Sequence, residues 1–198
     1  MLTKTECQTL VQWYKRHLHL RTIGDNTDYR AINKMHIHNP SVRDLFHKVD
    51  SHVIGEIRKE TDQIVYPEMS SLTEWPIGGI QHPHLDTYSR YDIESTTSEE
   101  EKARLAKHPS REWTLILYLN DDFKGGETYF PDQGTHYTPT EGTGLLFQGI
   151  YLNHGVNKVR RDSRRTMSTW YTTDFSNILH PNPVSDLDID NLSIKQQD

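Results

Sequence analysis

The run His84-Leu85-Asp86 carries the clearest chemical pattern in the sequence. On a strand, residues two apart project from the same face, so this spacing aims an imidazole and a carboxylate at one point while Leu85 packs behind them. A metal held there needs a further ligand. His154 is the best placed residue to supply it: it sits in the short β-like run LNHGV, and Arg164 opens another strand-like run ten residues further on. Two imidazoles and one carboxylate on one face suit a non-haem iron(II) ion and leave coordination positions open. A 2-oxoacid can occupy two of these through its keto and carboxylate oxygens, and dioxygen can take another.

The elements that must position these groups follow from hydrophobic period. Thr3-x-x-Glu6 is a capping box, and Leu10, Val11, Tyr14 and Leu18 form an apolar stripe behind it. A second helix is expected after Pro40, capped by Ser41, with Val42, Leu45, Phe46, Val49, Val53 and Ile57 on its buried face. From about Gln63 the period shortens into eight β-rich runs: QIVY, GIQHPHLD, WTLILYL, ETYF, THYT, TGLLFQ, LNHGV and RRTMSTWYTT. Short strands following helices predict a mainly β fold, an antiparallel sandwich or barrel with helices on one side. The segment 87–112 breaks this rhythm with few apolar residues and the charged stretch SEEEKARLAKH. It reads as an insertion, either a solvated connection or a lid near Asp86. The segment 177–198 is an acidic tail rich in breakers. A single domain over 1–176 is therefore expected, with helical support in 1–62 and the β core in 63–176.

Four segments in order, EWPIGGIQHPHLD, WTLILYLNDDFKGGETYFP, EGTGLLFQGIYLNHGV and RRTMSTWY, resemble the prolyl 4-hydroxylase-like branch of the iron(II)- and 2-oxoglutarate-dependent oxygenases. The resemblance covers roughly residues 63 to 175. It implies a double-stranded β-helix (jelly-roll, cupin-like) core, Fe(2+) on His84, Asp86 and His154, 2-oxoglutarate and O2 as cosubstrates, and ascorbate as an accompanying reductant. It also implies that Arg164 holds the distal carboxylate of 2-oxoglutarate, a role that suits a planar guanidinium fork, whereas the adjacent Arg165 points to the other face of its strand. In WTLILYL only the face carrying Thr114 and Tyr118 has hydroxyls, so these two resemble the family's partners for that carboxylate; ordinary strand packing is the alternative. Trp170 resembles the tryptophan that the family places beside the iron. Trp75 stands where collagen-type relatives commonly carry tyrosine, so it can wall the site but has no phenolic hydroxyl to donate. Tyr88, Arg90 and Tyr91, close behind Asp86, are candidate substrate contacts. No catalytic acid or base beyond the metal centre is required.

Composition narrows the partners. The formal net charge is −6, with 22 Lys and Arg against 28 Asp and Glu, so there is no overall positive field to gather phosphates. The run RRDSRRTMSTW also lacks the extended arginine motif of nucleic-acid demethylases. No nucleic acid, and no membrane partner, is expected. One cysteine, Cys7, permits no internal disulfide and fits a cytoplasmic protein. The substrate expected from the resemblance is a proline in a peptide or protein, with a small molecule or free amino acid next. A zinc hydrolase and a non-catalytic β-helix binding module are the rivals. The oligomeric state is not encoded in any feature of the sequence.

Overall fold

The computed structural model describes residues 1–23, 29–87, 98 and 111–177. Helix α1 (Lys4–Arg16) starts at the expected capping box, in which Thr3 accepts from the Glu6 backbone and the Glu6 carboxylate accepts from the Thr3 backbone. It buries Cys7, Leu10, Trp13 and Tyr14. Leu18, expected to continue this stripe, lies past the helix in the short 3-10 turn Leu18–Leu20 and is 40% exposed. Helix α2 (Pro40–Thr61) is capped by Asn39, not Ser41. The Asn39 side chain accepts from Val42 N, and Pro40 occupies the first helical position, where its missing N–H costs nothing. Val42, Phe46, Val49, Val53 and Ile57 are buried as the period requires.

Ten strands are present among the described residues. Chain order gives β1 (Thr22–Ile23), β2 (Arg30–Asn33), β3 (Tyr66–Trp75), β4 (Gln81–His84), β5 (Arg111–Tyr118), β6 (Thr128–Phe130), β7 (Thr135–Tyr137), β8 (Gly144–Phe147), β9 (His154–Val156) and β10 (Arg164–Thr172). Two of them, β1 and β2, lie between the helices in the stretch expected to be helical. The run QIVY is only the approach to β3, which continues through Ser70, Ser71 and Thr73 to Trp75.

These strands form two sheets, β1-β2-β3-β10-β5-β8 and β4-β9-β6-β7, with antiparallel pairing throughout. The helices cover one face of the larger sheet. Leu72, Leu115, Leu117, Met167 and Tyr171 on that face join Leu10, Tyr14, Phe46, Val49 and Val53 of the helices in one apolar core. Alternation then sends the intervening residues to the opposite face. There Ile116, Tyr118, Phe123, Phe130 and Phe147 pack at one end of a second cluster. The rest of this inner face, where Ser71, Thr73, Arg164 and Ser168 stand among Met69, Trp75 and Trp170, lines a cavity of about 200 Å³. No described helix is long and apolar enough to cross a membrane.

Candidate metal centre and cosubstrate site

His84 and His154 are directly paired across β4 and β9, and their rings lie 4.4 Å apart. Asp86 follows β4 in a turn and completes the cluster. Its Oδ1 lies 3.8 Å from His84 Nε2 and its Oδ2 lies 3.8 Å from His154 Nε2. One ligand atom from each of the three residues falls within 4.8 Å of the others. The side chains of His154 and Asp86 are only 4% and 5% exposed, against 19% for His84, so the cluster opens on the His84 side.

Both imidazoles are held in the tautomer that puts the lone pair on Nε2, the nitrogen facing the cluster. His84 Nδ1 lies 3.1 Å from the His82 carbonyl oxygen and His154 Nδ1 lies 2.9 Å from that of Leu152. A carbonyl only accepts, so the proton is on Nδ1 in each ring and the Nε2 lone pairs face the cluster. Burial pushes the His154 pKa below the ordinary histidine value, an effect partly offset by the Asp86 carboxylate. Asp86 is fixed on both sides. Its backbone N–H donates to the Gly149 carbonyl at 3.0 Å, and the Thr114 hydroxyl donates to its Oδ2. Gly149 permits this approach, since any Cβ there would collide with Asp86 Oδ2 and Thr114 Oγ1.

Arg164 lines the same cavity, 1% exposed, at the start of β10 opposite Trp75 of β3. Its guanidinium lies 5.6 Å from the centre of the Trp75 ring and 5.2 Å from that of Tyr118. Nη2 donates to Thr128 Oγ1 at 3.1 Å, whereas Nε is buried with no hydrogen-bond partner. Among the described residues no carboxylate pairs with it. Burial lowers the Arg164 pKa from its ordinary value, but a guanidinium keeps its proton in proteins. A fully desolvated cation without a counter-charge is costly, and an anionic ligand entering the cavity would relieve that cost. Arg165, one residue on, points away and binds Glu74 through Nε at 3.1 Å and Nη2 at 2.8 Å.

The other expected site residues divide. Trp75 and Trp170 both line the cavity. Thr114 lines it too, and its hydroxyl donates to Asp86 Oδ2. Tyr118 is fully buried with its hydroxyl 2.7 Å from Thr128 Oγ1, so it supports Arg164 both directly, through its ring, and by way of Thr128. Tyr88, Arg90, Tyr91 and nearly all of the 87–112 segment lie outside the described residues, as does the tail beyond Asn177. Thr128, Gly149 and Gln81 were not singled out in the sequence. The even spacing of Thr128 after the Gly125-Gly126 turn was the available signal for the first.

The family model for the 2OG-Fe(II) oxygenase superfamily matches residues 71–172. The chain belongs to this superfamily, which implies Fe(2+), 2-oxoglutarate and O2. A curated relative, prolyl 4-hydroxylase subunit alpha-2 of Gallus gallus, is 29% identical over 107 residues, 52% of this chain and 18% of the relative. The chain thus spans less than a fifth of that relative's length. Among solved structures, the viral collagen prolyl hydroxylase of Paramecium bursaria Chlorella virus-1, in complex with 2-oxoglutarate, superposes with a TM-score of 0.63 at 19% identity, covering 86% of this chain and 90% of that one. HygX from Streptomyces hygroscopicus, with nickel, 2-oxoglutarate and hygromycin B bound, gives 0.59 at 14% identity, covering 88% and 80%. Members of this superfamily have a double-stranded β-helix core, which is the fold formed here by the two facing sheets.

Proposed function

We propose that this chain is an iron(II)- and 2-oxoglutarate-dependent dioxygenase that hydroxylates an unactivated C–H bond, in a single domain spanning residues 1–176. The observation that carries this reading is the pairing, in one cavity, of the His84–Asp86–His154 cluster with a buried guanidinium, that of Arg164, which has no counter-charge among the described residues. The donor set fits iron(II): two neutral imidazoles and a carboxylate on one face, with the open side toward the cavity. When bound, iron(II) with 2-oxoglutarate supplies the oxidising power, so that one atom of dioxygen enters the substrate as hydroxyl and the other enters succinate as carbon dioxide is lost. The protein's part is binding and positioning. His84, Asp86 and His154 hold the metal, and Thr114 sets the rotation of the Asp86 carboxylate. Arg164, steadied by Thr128 and Tyr118, takes the distal carboxylate of 2-oxoglutarate. Trp75 and Trp170 wall the cavity and exclude water. No separate proton carrier is needed, and none faces the cluster among the described residues. Ascorbate serves as the accompanying reductant.

Peptidyl proline is the leading substrate, supported by the prolyl hydroxylases among the relatives. A small polar molecule or free amino acid is the second reading, and a specific observation favours it. Beyond the metal end the cavity is lined by Asn33, Ser71, Thr73 and Ser168, a wall of uncharged hydrogen-bonding groups. The buried, unpaired Cys7 fits a reducing compartment such as the cytoplasm.

Anaerobic titration of the metal-free chain with iron(II) and 2-oxoglutarate tests the chemistry through the weak visible charge-transfer band of the chelate. The band should vanish in His84→Ala and weaken in Arg164→Met. A metal-loaded chain without the band would sink the oxygenase reading and favour a zinc hydrolase or a binding module. Succinate release with proline peptides, compared with small hydroxylated molecules, then separates the two substrate readings.

A further inference from the structure

Gln81 is unassigned by the reading above, yet its side chain touches the metal cluster. Gln81 Nε2 lies 3.2 Å from His84 Nε2, the nitrogen that faces the proposed metal position. Two residues three apart on a regular strand point to opposite faces. Here the register between β4 and β9 slips: Gln81 pairs with Val156 and His84 with His154, so β4 spends three steps where β9 spends two. The extra residue is a bulge, a device that re-aims a side chain at the edge of a site. It brings the Gln81 carboxamide round to the cavity, whose wall it joins. The strand is pressed against its partner at this point. The Gln81 carbonyl sits where a Cβ on Gly155 would be, 2.6 Å from that position, and accepts from the Tyr129 hydroxyl at 3.5 Å.

The direction of the Gln81–His84 contact is fixed by its surroundings. His84 Nδ1 faces the His82 carbonyl, which can only accept, so Nδ1 carries the proton of the neutral ring. Nε2 is then an acceptor, and the Gln81 amide donates to it. His84 is therefore held from both sides in the tautomer that a metal requires, but the lone pair a metal would use is already engaged. Among the described residues His154 Nε2 has no such hydrogen bond; the Asp86 carboxylate lies 3.8 Å from it.

We propose that Gln81 is a positioning residue that latches the metal-free site: it keeps His84 in the coordinating tautomer and competes with the incoming metal for His84 Nε2. This rests on the metal reading above. A hydrogen bond of this kind contributes about 0.5–1.5 kcal/mol net, so removing the competitor should tighten metal binding by roughly 2- to 13-fold. The other two ligands and Arg164 are untouched by the latch.

The test uses Gln81→Leu, which has similar size and no donor, and Gln81→Met as a second variant with a flexible apolar side chain. Two readouts are needed. In the metal-free chain, long-range 15N–1H correlation of the imidazoles reports the tautomer and hydrogen bonding of each ring. The His84 Nε2 signal should move to the position of an unbonded acceptor in both variants, while His154 stays unchanged. Competitive titration with iron(II) under nitrogen, and with cobalt(II) as a second probe, should then show several-fold tighter binding in both variants. An unmoved His84 signal would overturn the latch, as would a moved signal with unchanged or weaker metal binding. If the parent chain takes up neither ion, the metal reading itself fails and the latch falls with it; the parent titration thus separates the two failures. Circular dichroism and melting of both variants guard against misfolding, and the variant that remains folded decides the matter.

Discussion

The two faces of the six-stranded sheet are built from the same strands and treated in opposite ways. Toward the helices, Leu72, Leu115, Leu117 and Met167 are buried in a continuous apolar core. The polar groups admitted there are fully answered. Lys34 Nζ meets Asp50 Oδ2 at 3.1 Å and the Tyr171 hydroxyl donates to Asp50 Oδ1 at 3.0 Å, all three residues being buried. Toward the smaller sheet, alternate residues of the same strands are Ser71, Thr73, Thr114, Arg164, Ser168 and Trp170. Here Arg164 Nε and Trp170 Nε1 are buried without hydrogen-bond partners among the described residues. One face spends its polar groups on holding helices to the sheet; the other keeps them in reserve for a ligand. Unsatisfied buried donors are rare where only stability is at stake, so Arg164 Nε and Trp170 Nε1, on two residues that line the cavity, mark it as a place that binds.

The largest expected effect is at the metal cluster. Asp86→Ala should abolish the charge-transfer band and bring turnover to background, a loss well beyond the roughly 10- to 100-fold that disturbing a metal site's outer hydrogen bonds costs. Its melting temperature should change little, because the residue holds no core together. Next comes the buried pair on the helix side. Asp50→Ala strands the Lys34 ammonium in the core and should cost about 3–5 kcal/mol of stability in urea unfolding, while the folded fraction still binds iron(II) and 2-oxoglutarate. Reversal of these two outcomes would dissolve the distinction between the faces.

Arg164 sharpens it further, because the two faces predict opposite signs for removal of a charge. On the helix side, deletion of either member of the ion pair destabilises. In the cavity, Arg164→Met removes a desolvated cation that has no carboxylate partner among the described residues, so stability of the ligand-free chain should rise or hold. The same change should weaken 2-oxoglutarate by about 10- to 150-fold, the worth of a charge-assisted hydrogen bond of roughly 1.5–3 kcal/mol. A marked fall in melting temperature would show that Arg164 is a structural residue already satisfied by Thr128 and the two flanking aromatic rings.

Much of this was legible before the fold was known, for reasons that differ by element. The helices were visible because α1 and α2 each bury a stripe at 3.6-residue spacing, although the stripe of α1 overran at Leu18 and the cap of α2 was Asn39. His84 and Asp86 were visible because a spacing of two on an extended chain aims both side chains at one point, although β4 ends at His84 and Asp86 lies in the turn that follows. The separation of Arg164 from Arg165 follows from strand parity. The course of β3 was hidden because its buried residues include Ser70, Ser71, Thr73 and Glu68, which look exposed in a sequence. They are buried by neighbours far along the chain: β10 pairs with β3 about ninety residues away. The contact of Thr114 with Asp86 was not legible for a similar reason. Its face was correctly read, but which carboxylate it meets depends on Gly149 bringing the β8–β9 connection against Asp86. Gln81 was invisible because a bulge breaks the parity on which the rest of the reading relied.

The smallest effect comes from making one substitution on each face. Thr114 and Thr169 are both buried threonines on adjacent, paired strands, and each donates a side-chain hydrogen bond: Thr114 to Asp86, and Thr169 to Ser70 Oγ at 3.0 Å. Valine preserves the shape and removes the donor. On the helix side, Thr169→Val leaves Ser70 Oγ without its donor in the core, which should cost about 1–3 kcal/mol of stability with no change in metal affinity. In the cavity, Thr114→Val frees one oxygen of a carboxylate that still has its proposed metal to bind. Stability should hardly move, while iron(II) affinity should fall by about 10-fold, at the low end for an outer-sphere contact, as Asp86 loses its fixed rotation. Paired urea unfolding and metal titration of the two variants check this. If both lost stability alike and metal binding were unaffected in each, Thr114 would belong to the core, and Asp86 would be oriented by its backbone hydrogen bond to Gly149 alone.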